Sequence, residues 1–172
     1  MTSTESIKHT FERNKRALTL KPSMGRGTAK TRAKLVDGLH FEVEDGAWKM
    51  NVDMSEKSGG TGLAPDPGVY GRSALASCLG INYALHAAAE GLEISSLEIE
   101  VQADYDSNGN YGTIDQPPGY RQVRYVVAIE ADASEGEIQR FVEEADKHCP
   151  YLDIFVRPID VQREVRVVAS QE

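Results

Sequence analysis

The sequence has few cysteines and no long apolar run. Its 172 residues include two cysteines, too few for the disulfide framework that holds small secreted domains together. A chain of this length buries on the order of 70% of its unfolded surface, so it needs neither a disulfide nor a metal to form a core. Because no stretch of about 18 apolar residues is present, we expect a soluble protein that does not act at a membrane. The two thiols therefore need another explanation.

Positive charge is also in deficit, with 19 Lys and Arg against 27 Asp and Glu. The net charge of −8 argues against a nucleic-acid-binding protein, whose affinity depends on neutralising phosphates. The deficit is uneven: residues 1–34 carry nine basic and two acidic side chains, a charge of +7, which leaves −15 for the remainder. We interpret residues 1–27 as a basic N-terminal arm and residues 28–172 as a single domain.

The arm lacks the apolar core of a secretory signal, so we expect a cytoplasmic protein with reduced thiols. A transit peptide is the alternative interpretation, because the arm is rich in Ser and Thr and poor in acids. Ile7, Phe11 and Leu18 fall at helical spacing. This pattern predicts an amphipathic segment that docks on the body or on a partner subunit.

The first half of the body combines a strand pattern with a long helix pattern. Period-two alternation, with Asp-Gly turns at 37–38 and 45–46, predicts a three-stranded meander over about residues 28–53. A Gly-rich stretch at 58–62 predicts a flexible link. Asp66-Pro67 then predicts the start of a long central helix over about residues 68–90, which Gly91 ends.

The second half predicts strands and a further helix. Two long strands surround a Gly/Asn/Pro-rich loop at 106–119. A capping box at 134–137 predicts a second helix that runs to Pro150 and carries Cys149 at its C-terminus. Alternation of Ile159, Val161, Val165 and Val167 predicts a last strand. The order of elements indicates an α+β domain.

The two cysteines, Cys78 and Cys149, stand 71 positions apart. This spacing matches neither a CxxC redox turn nor a zinc knuckle. Each thiol falls among apolar residues of a predicted helix. Two inert, buried thiols are one interpretation; two thiols within disulfide range, if both helices pack on the same sheet, are the other.

Around these cysteines the sequence resembles a known family. Residues 60–67 and 74–79, with Cys78, are similar to the central-helix motif of the OsmC/Ohr family of thiol peroxidases. Residues 143–151, with Cys149, resemble its second cysteine motif, and residues 157–161 resemble the segment after it. The similarity extends over about residues 29–168.

The resemblance implies an intertwined homodimer of OsmC-like fold, with active sites at the subunit interface. It implies that Cys78 attacks the O–O bond of an organic hydroperoxide to give a sulfenic acid and an alcohol. Cys149 would then resolve the sulfenic acid to a Cys78–Cys149 disulfide. A dithiol or a lipoylated protein would act as the reductant, with no metal and no bound cofactor. The alternative is a non-enzymatic, dimeric small-ligand-binding or redox-sensing protein of the same fold.

A peroxidatic thiol must ionise, which requires a nearby cation or hydrogen-bond donor. Cys78 lies about three turns into its helix, where the helix dipole gives little help. The family holds an arginine against the thiolate with a glutamate just after the helix-opening proline, but here that stretch begins with Gly68. Arg26, Arg32 and Arg72 are the candidates for the activating cation.

Several aromatic residues near the cysteines are candidates for the pocket. Tyr70 and Tyr151 flank the two cysteine motifs and could contact an alkyl chain, with core packing as the alternative. His148 could act as a general base, although neighbours on a helix diverge by about 100° and a surface role is the alternative. We interpret His86 as a packed or interface histidine.

Overall fold

A computed structural model describes residues 3–168, which form five helices and five strands besides two short 3-10 turns. The elements in chain order are α1 (Thr4–Leu20), β1 (Thr31–Asp37), β2 (His40–Asp45), β3 (Trp48–Val52), α2 (Pro67–Glu90), β4 (Ile94–Asp104), α3 (Ser107–Tyr111), β5 (Gln122–Ala131), α4 (Glu135–Asp146) and α5 (Pro150–Val156). Strands β1, β2 and β3 form one antiparallel sheet, and β4 pairs with β5 in another. The predicted α+β class is confirmed.

The N-terminal meander has the two predicted turns. Gly38 and Gly46 adopt φ values of +52° and +56°, a conformation that glycine reaches without steric cost. These turns pair Val43 of β2 with Ala33 on one side and Met50 on the other. The sheet therefore gathers apolar side chains on one face.

The long helix α2 has the predicted ends. The Asp66 carboxylate accepts a hydrogen bond from the Val69 N–H at 2.9 Å, and Gly91 ends the helix with φ +79°. Leu75, Leu79 and Tyr83 recur every four residues and are almost fully buried. Because this stripe packs against β4, α4 and α5, α2 forms the centre of the core.

The loop between β3 and α2 is a hydrogen-bonded turn instead of the predicted flexible link. The buried carboxylate of Asp53 accepts hydrogen bonds from the backbone N–H groups of Met54, Thr61 and Leu63 and from the Thr61 hydroxyl. These bonds hold the pKa of Asp53 at about 2, with the Thr61 hydroxyl as the largest cause. The loop thus fixes the entry into α2.

The predicted second helix is two helices, which corrects the position of Cys149. Helix α4 ends at Asp146 and α5 begins at Pro150, so Cys149 is the N-cap of α5 and not the C-terminus of α4. The physical reason is that proline disfavours helical geometry in the residue before it and suits the first position of a new helix. Cys149 accordingly has extended backbone, φ −87° and ψ 111°.

The predicted last strand is wrong for the described part of the chain. Residues 158–168 form no strand there, and Val161 and Val167 are 86% and 91% exposed. A strand needs a neighbouring edge that pairs with its N–H and C=O groups, and neither sheet extends to this segment. The alternating pattern alone cannot supply that edge.

The N-terminal arm contains a helix that packs on the body. Helix α1 lies against α2, and Phe11 meets His86 edge to face with ring centroids 5.3 Å apart. The sequence predicted that the arm docks either on the body or on a partner subunit; in the structure it docks on its own body.

The loop over residues 106–119 contains the short helix α3. None of the described helices is both long and apolar enough to cross a bilayer.

Candidate active site

The two thiols lie next to each other although they come from distant parts of the chain. Helix α2 places Cys78 half-buried at its middle, and the N-cap position of α5 places Cys149 beside it, 1% exposed. Their Sγ atoms are 3.7 Å apart, and the Cys149 thiol donates a hydrogen bond to Cys78 Sγ. Since a disulfide needs about 2.05 Å, this is a reduced pair that requires only a small movement to join.

The surroundings of the pair differentiate the two thiols. Burial raises the pKa of Cys149, and the neighbouring Cys78 raises it further, against the lowering effect of the backbone N–H groups of Leu152 and Tyr151. The raised pKa favours the protonated form of the Cys149 thiol. An S–H bond directed at Cys78 is a donor of the kind that stabilises a thiolate.

A hydrogen-bonded cluster holds the end of α4, just before Cys149. The Asp146 carboxylate accepts bonds from the hydroxyls of Tyr83 on α2 and Tyr125 on β5, each 2.6 Å long. The Asn82 side chain donates to the carbonyl of Ala145 at 2.6 Å. We call Asp146, Tyr83 and Tyr125 the carboxylate clamp. It ties the chain that carries Cys149 to the helix that carries Cys78.

The tyrosines of the carboxylate clamp remain protonated. Burial raises the pKa of Tyr83 and of Tyr125 well above the usual range, and the hydrogen bonds to Asp146 raise both further. Both hydroxyls therefore act as hydrogen-bond donors at any physiological pH. The clamp does not loosen through tyrosine ionisation.

A cavity of about 600 Å³ opens onto Cys78. Helix α1 forms one wall with Phe11, Lys15 and Leu18. Helix α2 forms the other wall, and His148 and Pro150 close the end near Cys149. The cavity is mostly apolar, so it suits the hydrocarbon part of a small organic molecule.

Two histidines stack at this cavity. The rings of His86 and His148 lie 5.2 Å apart and 16° from parallel, and Phe11 packs on the edge of the pair. Burial lowers the pKa of His86, and the neighbouring His148 lowers it further. The lowered pKa favours the neutral form of His86, which can accept a proton on one ring nitrogen and donate a hydrogen bond from the other.

Comparison with known proteins identifies the family. A model described as OsmC-like protein matches residues 60–164, more than half of the chain and both cysteines. The chain belongs to the OsmC-like protein family. No protein with a curated description matches the sequence.

Solved structures of the OsmC type share the fold of this OsmC-like chain at low identity. An OsmC-like protein from Mycoplasma pneumoniae is 22% identical with a TM-score of 0.65, over 75% of this chain and 87% of its own. An organic hydroperoxide resistance protein from Legionella pneumophila is 18% identical with a TM-score of 0.56, over 76% and 90%. The organic hydroperoxide resistance protein OhrB of Bacillus subtilis is 20% identical with a TM-score of 0.50, over 79% and 96%.

In this OsmC-like protein, the three arginines that were candidates for stabilising the Cys78 thiolate do not line the Cys78 cavity. Arg72 donates a hydrogen bond to the Tyr120 hydroxyl at 3.1 Å. Arg32 lies on exposed strand β1, opposite Glu44. Arg26 lies in the connection after α1, where its backbone N–H bonds to Ser23. In the described part of the chain, Lys15 is the lysine or arginine on that cavity wall.

The aromatic candidates lie in different places. His148 and His86 line the Cys78 cavity. Tyr70 lines a second cavity, about 390 Å³, between the apolar face of the meander and the start of α2, and it donates a hydrogen bond to the Asn51 carbonyl at 2.7 Å. Tyr151 is 42% exposed on α5. The structure thus brings the histidines to the thiols and takes Tyr70 elsewhere.

Sequence reasoning missed Lys15 and the carboxylate clamp. Lys15 follows Phe11 by four positions and precedes Leu18 by three, so the helical spacing of the arm could have placed it on the docking face. The clamp joins Asp146 to Tyr125 and Tyr83, which are 21 and 63 positions away, so it left no local signal. Among residues 3–168, no group of three His, Cys, Asp or Glu side chains is arranged to hold a metal ion.

Proposed function

We propose that this OsmC-like protein is a thiol-dependent peroxidase that reduces organic hydroperoxides to alcohols. The observation that carries the proposal is the pair of reduced thiols, 3.7 Å apart, of which one is buried and the other faces a cavity. Organic hydroperoxide resistance proteins of similar fold support the same chemistry. The assignment of roles follows from access, because only the half-buried Cys78 lines the cavity.

The reaction balances as a two-electron reduction of the peroxide. The Cys78 thiolate attacks the terminal oxygen of the hydroperoxide, the O–O bond breaks, and the leaving alkoxide takes a proton to become the alcohol. Cys78 is now a sulfenic acid. The Cys149 sulfur then attacks the Cys78 sulfur, the two form a disulfide, and the sulfenic oxygen leaves as water with the Cys149 proton. A dithiol or a lipoylated protein reduces the disulfide and completes the cycle.

The proposal includes a homodimer in a reducing compartment. The meander presents an open apolar face with Phe41, Val43 and Met50, and residues 158–168 carry exposed valines without a strand to pair with. A second subunit that covers such surfaces agrees with the intertwined dimer of the family resemblance. Repeated reduction of the disulfide requires a cellular dithiol, which is why we place the protein in the cytoplasm.

The decisive experiment is a thiol titration of the reduced, full-length protein. One equivalent of cumene hydroperoxide should remove both free thiols, and peptide mass spectrometry should find them in a Cys78–Cys149 disulfide. Dihydrolipoamide should then support many turnovers. The variant Cys78→Ser should consume no peroxide. An unchanged thiol titre after prolonged exposure would overturn the proposal.

A non-enzymatic, ligand-binding or redox-sensing role is the second candidate. The apolar cavity lined by Phe41, Met50 and Tyr70 favours it, because this cavity does not include the thiols. The absence of the family's glutamate near Gly68 also favours a non-enzymatic role. A sensor would oxidise once and would not turn over with dihydrolipoamide. A ligand-binding protein would bind an apolar dye, and Met50→Trp would displace the dye without a change in thiol chemistry.

A further inference from the structure

The wall that α1 adds to the Cys78 cavity lies outside the part of the chain that the family model matches. That match covers residues 60–164, whereas α1 spans Thr4–Leu20. Phe11 and Leu18 supply the apolar part of this wall. The cavity beside the thiol is therefore shaped in part by an element that the matched OsmC-like region does not include.

Phe11 and Leu18 are both held in position over the cavity. They are seven positions apart, which is two helical turns, so they lie on the same face of α1. The ring of Phe11 is half-buried and packs edge to face on His86, with ring centroids 5.3 Å apart. Leu18 lies against the turn that follows α1, where a Cβ added to Gly25 would stand 3.2 Å from Leu18 Cδ2. These contacts keep an apolar wall beside the thiol.

Helix α2 presents the facing wall. Ile81 and Leu85 line the cavity and follow Cys78 by three and seven positions, so they share its side of the helix. Ile81 is 62% exposed and Leu85 is 36% exposed, which leaves apolar surface available to a bound molecule. Cys78 and the apolar side chains of two helices therefore border one space.

This space favours a hydroperoxide with a bulky hydrocarbon group. Its volume of about 600 Å³ lies within the range of small-molecule sites, roughly 300 to 1,000 Å³. A tert-butyl group has less apolar surface to bury there than a group that carries a phenyl ring. A ring can also pack on the ring of Phe11. The preference between organic hydroperoxides of different size therefore depends on side chains of α1.

We infer that Phe11 and Leu18 are specificity-determining residues, which contact the hydrocarbon group of a ring-bearing organic hydroperoxide whose O–O bond lies at Cys78. This rests on the proposed function for the identity of the substrate. The apolar wall does not depend on peroxide chemistry, since any ring-bearing reagent that reaches the thiol meets the same side chains. Residues of a second subunit can add further walls, and the contacts between α1 and α2 lie within one chain.

The first test compares two substrates in the full-length, reduced protein, with dihydrolipoamide as the reductant. Phe11→Ala should lower the ratio of kcat/KM for cumene hydroperoxide to that for tert-butyl hydroperoxide by about tenfold, because an apolar contact is lost from the pocket. Leu18→Ala should lower the ratio in the same direction, and Phe11→Leu, which keeps an apolar side chain, should recover part of the loss. Leu20→Ala is the matched control, because Leu20 belongs to α1 but is 78% exposed and does not line the cavity. It should leave the ratio unchanged.

The second test uses no peroxide. Mass spectrometry of the Cys78 peptide gives the rates at which N-phenylmaleimide and N-methylmaleimide modify this thiol. Both reagents react with the same thiolate, so the ratio of the two rates cancels the ionisation of Cys78 and reports the fit of the ring. Phe11→Ala should lower the phenyl-to-methyl ratio severalfold, and Leu20→Ala should not change it.

The two tests separate the failure of the wall from the failure of the peroxidase. If both peroxides are turned over, an unchanged substrate ratio in Phe11→Ala and Leu18→Ala overturns the inference alone, and so does an equal fall in Leu20→Ala. If the protein is inert to peroxide, the proposed function fails, and equal maleimide ratios for the native protein and Phe11→Ala then overturn the inference as well. Far-UV circular dichroism identifies any loss of α1; if Phe11→Ala loses the helix, Leu18→Ala, which keeps the contact of Phe11 with His86, decides the result.

Discussion

The buried Sγ of Cys149 lies 3.7 Å from the half-buried Sγ of Cys78, and the S–H bond of Cys149 points toward it. This relationship underlies the order of steps in the proposed reaction. In the proposed reaction, Cys78, which faces the cavity, reacts with the peroxide, and Cys149, whose pKa is raised by burial, resolves the product. The short distance allows the second thiol to intercept a sulfenic acid before further oxidation.

Removal of the resolving thiol should change the oxidation product. In Cys149→Ser we expect the first equivalent of cumene hydroperoxide to leave a sulfenic acid at Cys78, because no thiol remains at 3.7 Å. A second equivalent should carry it to the sulfinic acid. Dimedone labelling and mass spectrometry measure both species, with the native protein as control. Peroxide turnover by Cys149→Ser at the native rate, without overoxidation, would contradict this prediction.

Loosening of the carboxylate clamp should slow resolution. Tyr125→Phe removes a 2.6 Å bond to Asp146 and should lower the free energy of unfolding by about 1.5 to 3 kcal/mol, as expected for a bond to a charged group. Because the clamp holds the chain before Cys149, the fraction of sulfinic acid at Cys78 should rise. Urea titration and mass spectrometry give the two quantities.

Tyr120→Phe is the matched control for the clamp. The Tyr120 hydroxyl bonds to Arg72 and to the Gly68 carbonyl near the start of α2. Its removal should lower stability without a change in the ratio of disulfide to sulfinic acid. A similar ratio in Tyr125→Phe and Tyr120→Phe would mean that the clamp only stabilises the fold.

The turn around Asp53 should make stability depend on acid. The pKa of Asp53 is lowered to about 2 from a usual value near 3.8, so its contribution is complete above pH 4 and is lost as the pH falls through 2. The variant Asp53→Asn should melt several degrees below the native protein at pH 6, and the difference should shrink toward pH 2. Thermal unfolding across this range measures it. Asp115→Asn, an exposed loop change, should show no such trend.

The same turn depends on a glycine. A Cβ at Gly60 would stand 2.0 Å from the carbonyl oxygen of Met54, so the backbone must move to accept it. We expect Gly60→Ala to cost about 2 to 3 kcal/mol of unfolding free energy. Gly119→Ala, where a Cβ meets nothing within 4 Å, should be nearly neutral. Equal urea midpoints for the two variants would contradict the close contact.

Local signals in the sequence were enough for several elements of the fold. The N-cap Asp66, the C-terminal Gly91 and the Asp-Gly turns at 37–38 and 45–46 all lie where predicted. Each acts on backbone within a few residues, through a capping bond or a left-handed conformation that glycine adopts easily. The capping box at Ser134 likewise marks the start of α4.

Errors occurred where a residue or segment depends on its surroundings. The alternation at 158–168 has the strand pattern but no edge to pair with in the described chain. The second helix continued past Asp146 in the prediction because its apolar stripe reaches Cys149, whereas Pro150 starts a helix of its own. Periodicity describes one face of an element and carries no information on what lies opposite that face.

The sequence by itself determined the α+β class, the ends of α2 and, through two motifs that each contain a cysteine, the family of the protein. Only the tertiary structure decided that Cys78 and Cys149 lie 3.7 Å apart, that Asp146 secures the chain before Cys149, and that Lys15 faces the same cavity. The reason is physical. Caps, turns and helical periods act over a few neighbouring residues, whereas a site assembled from residues 15, 78 and 149 exists only after α1, α2 and α5 pack together.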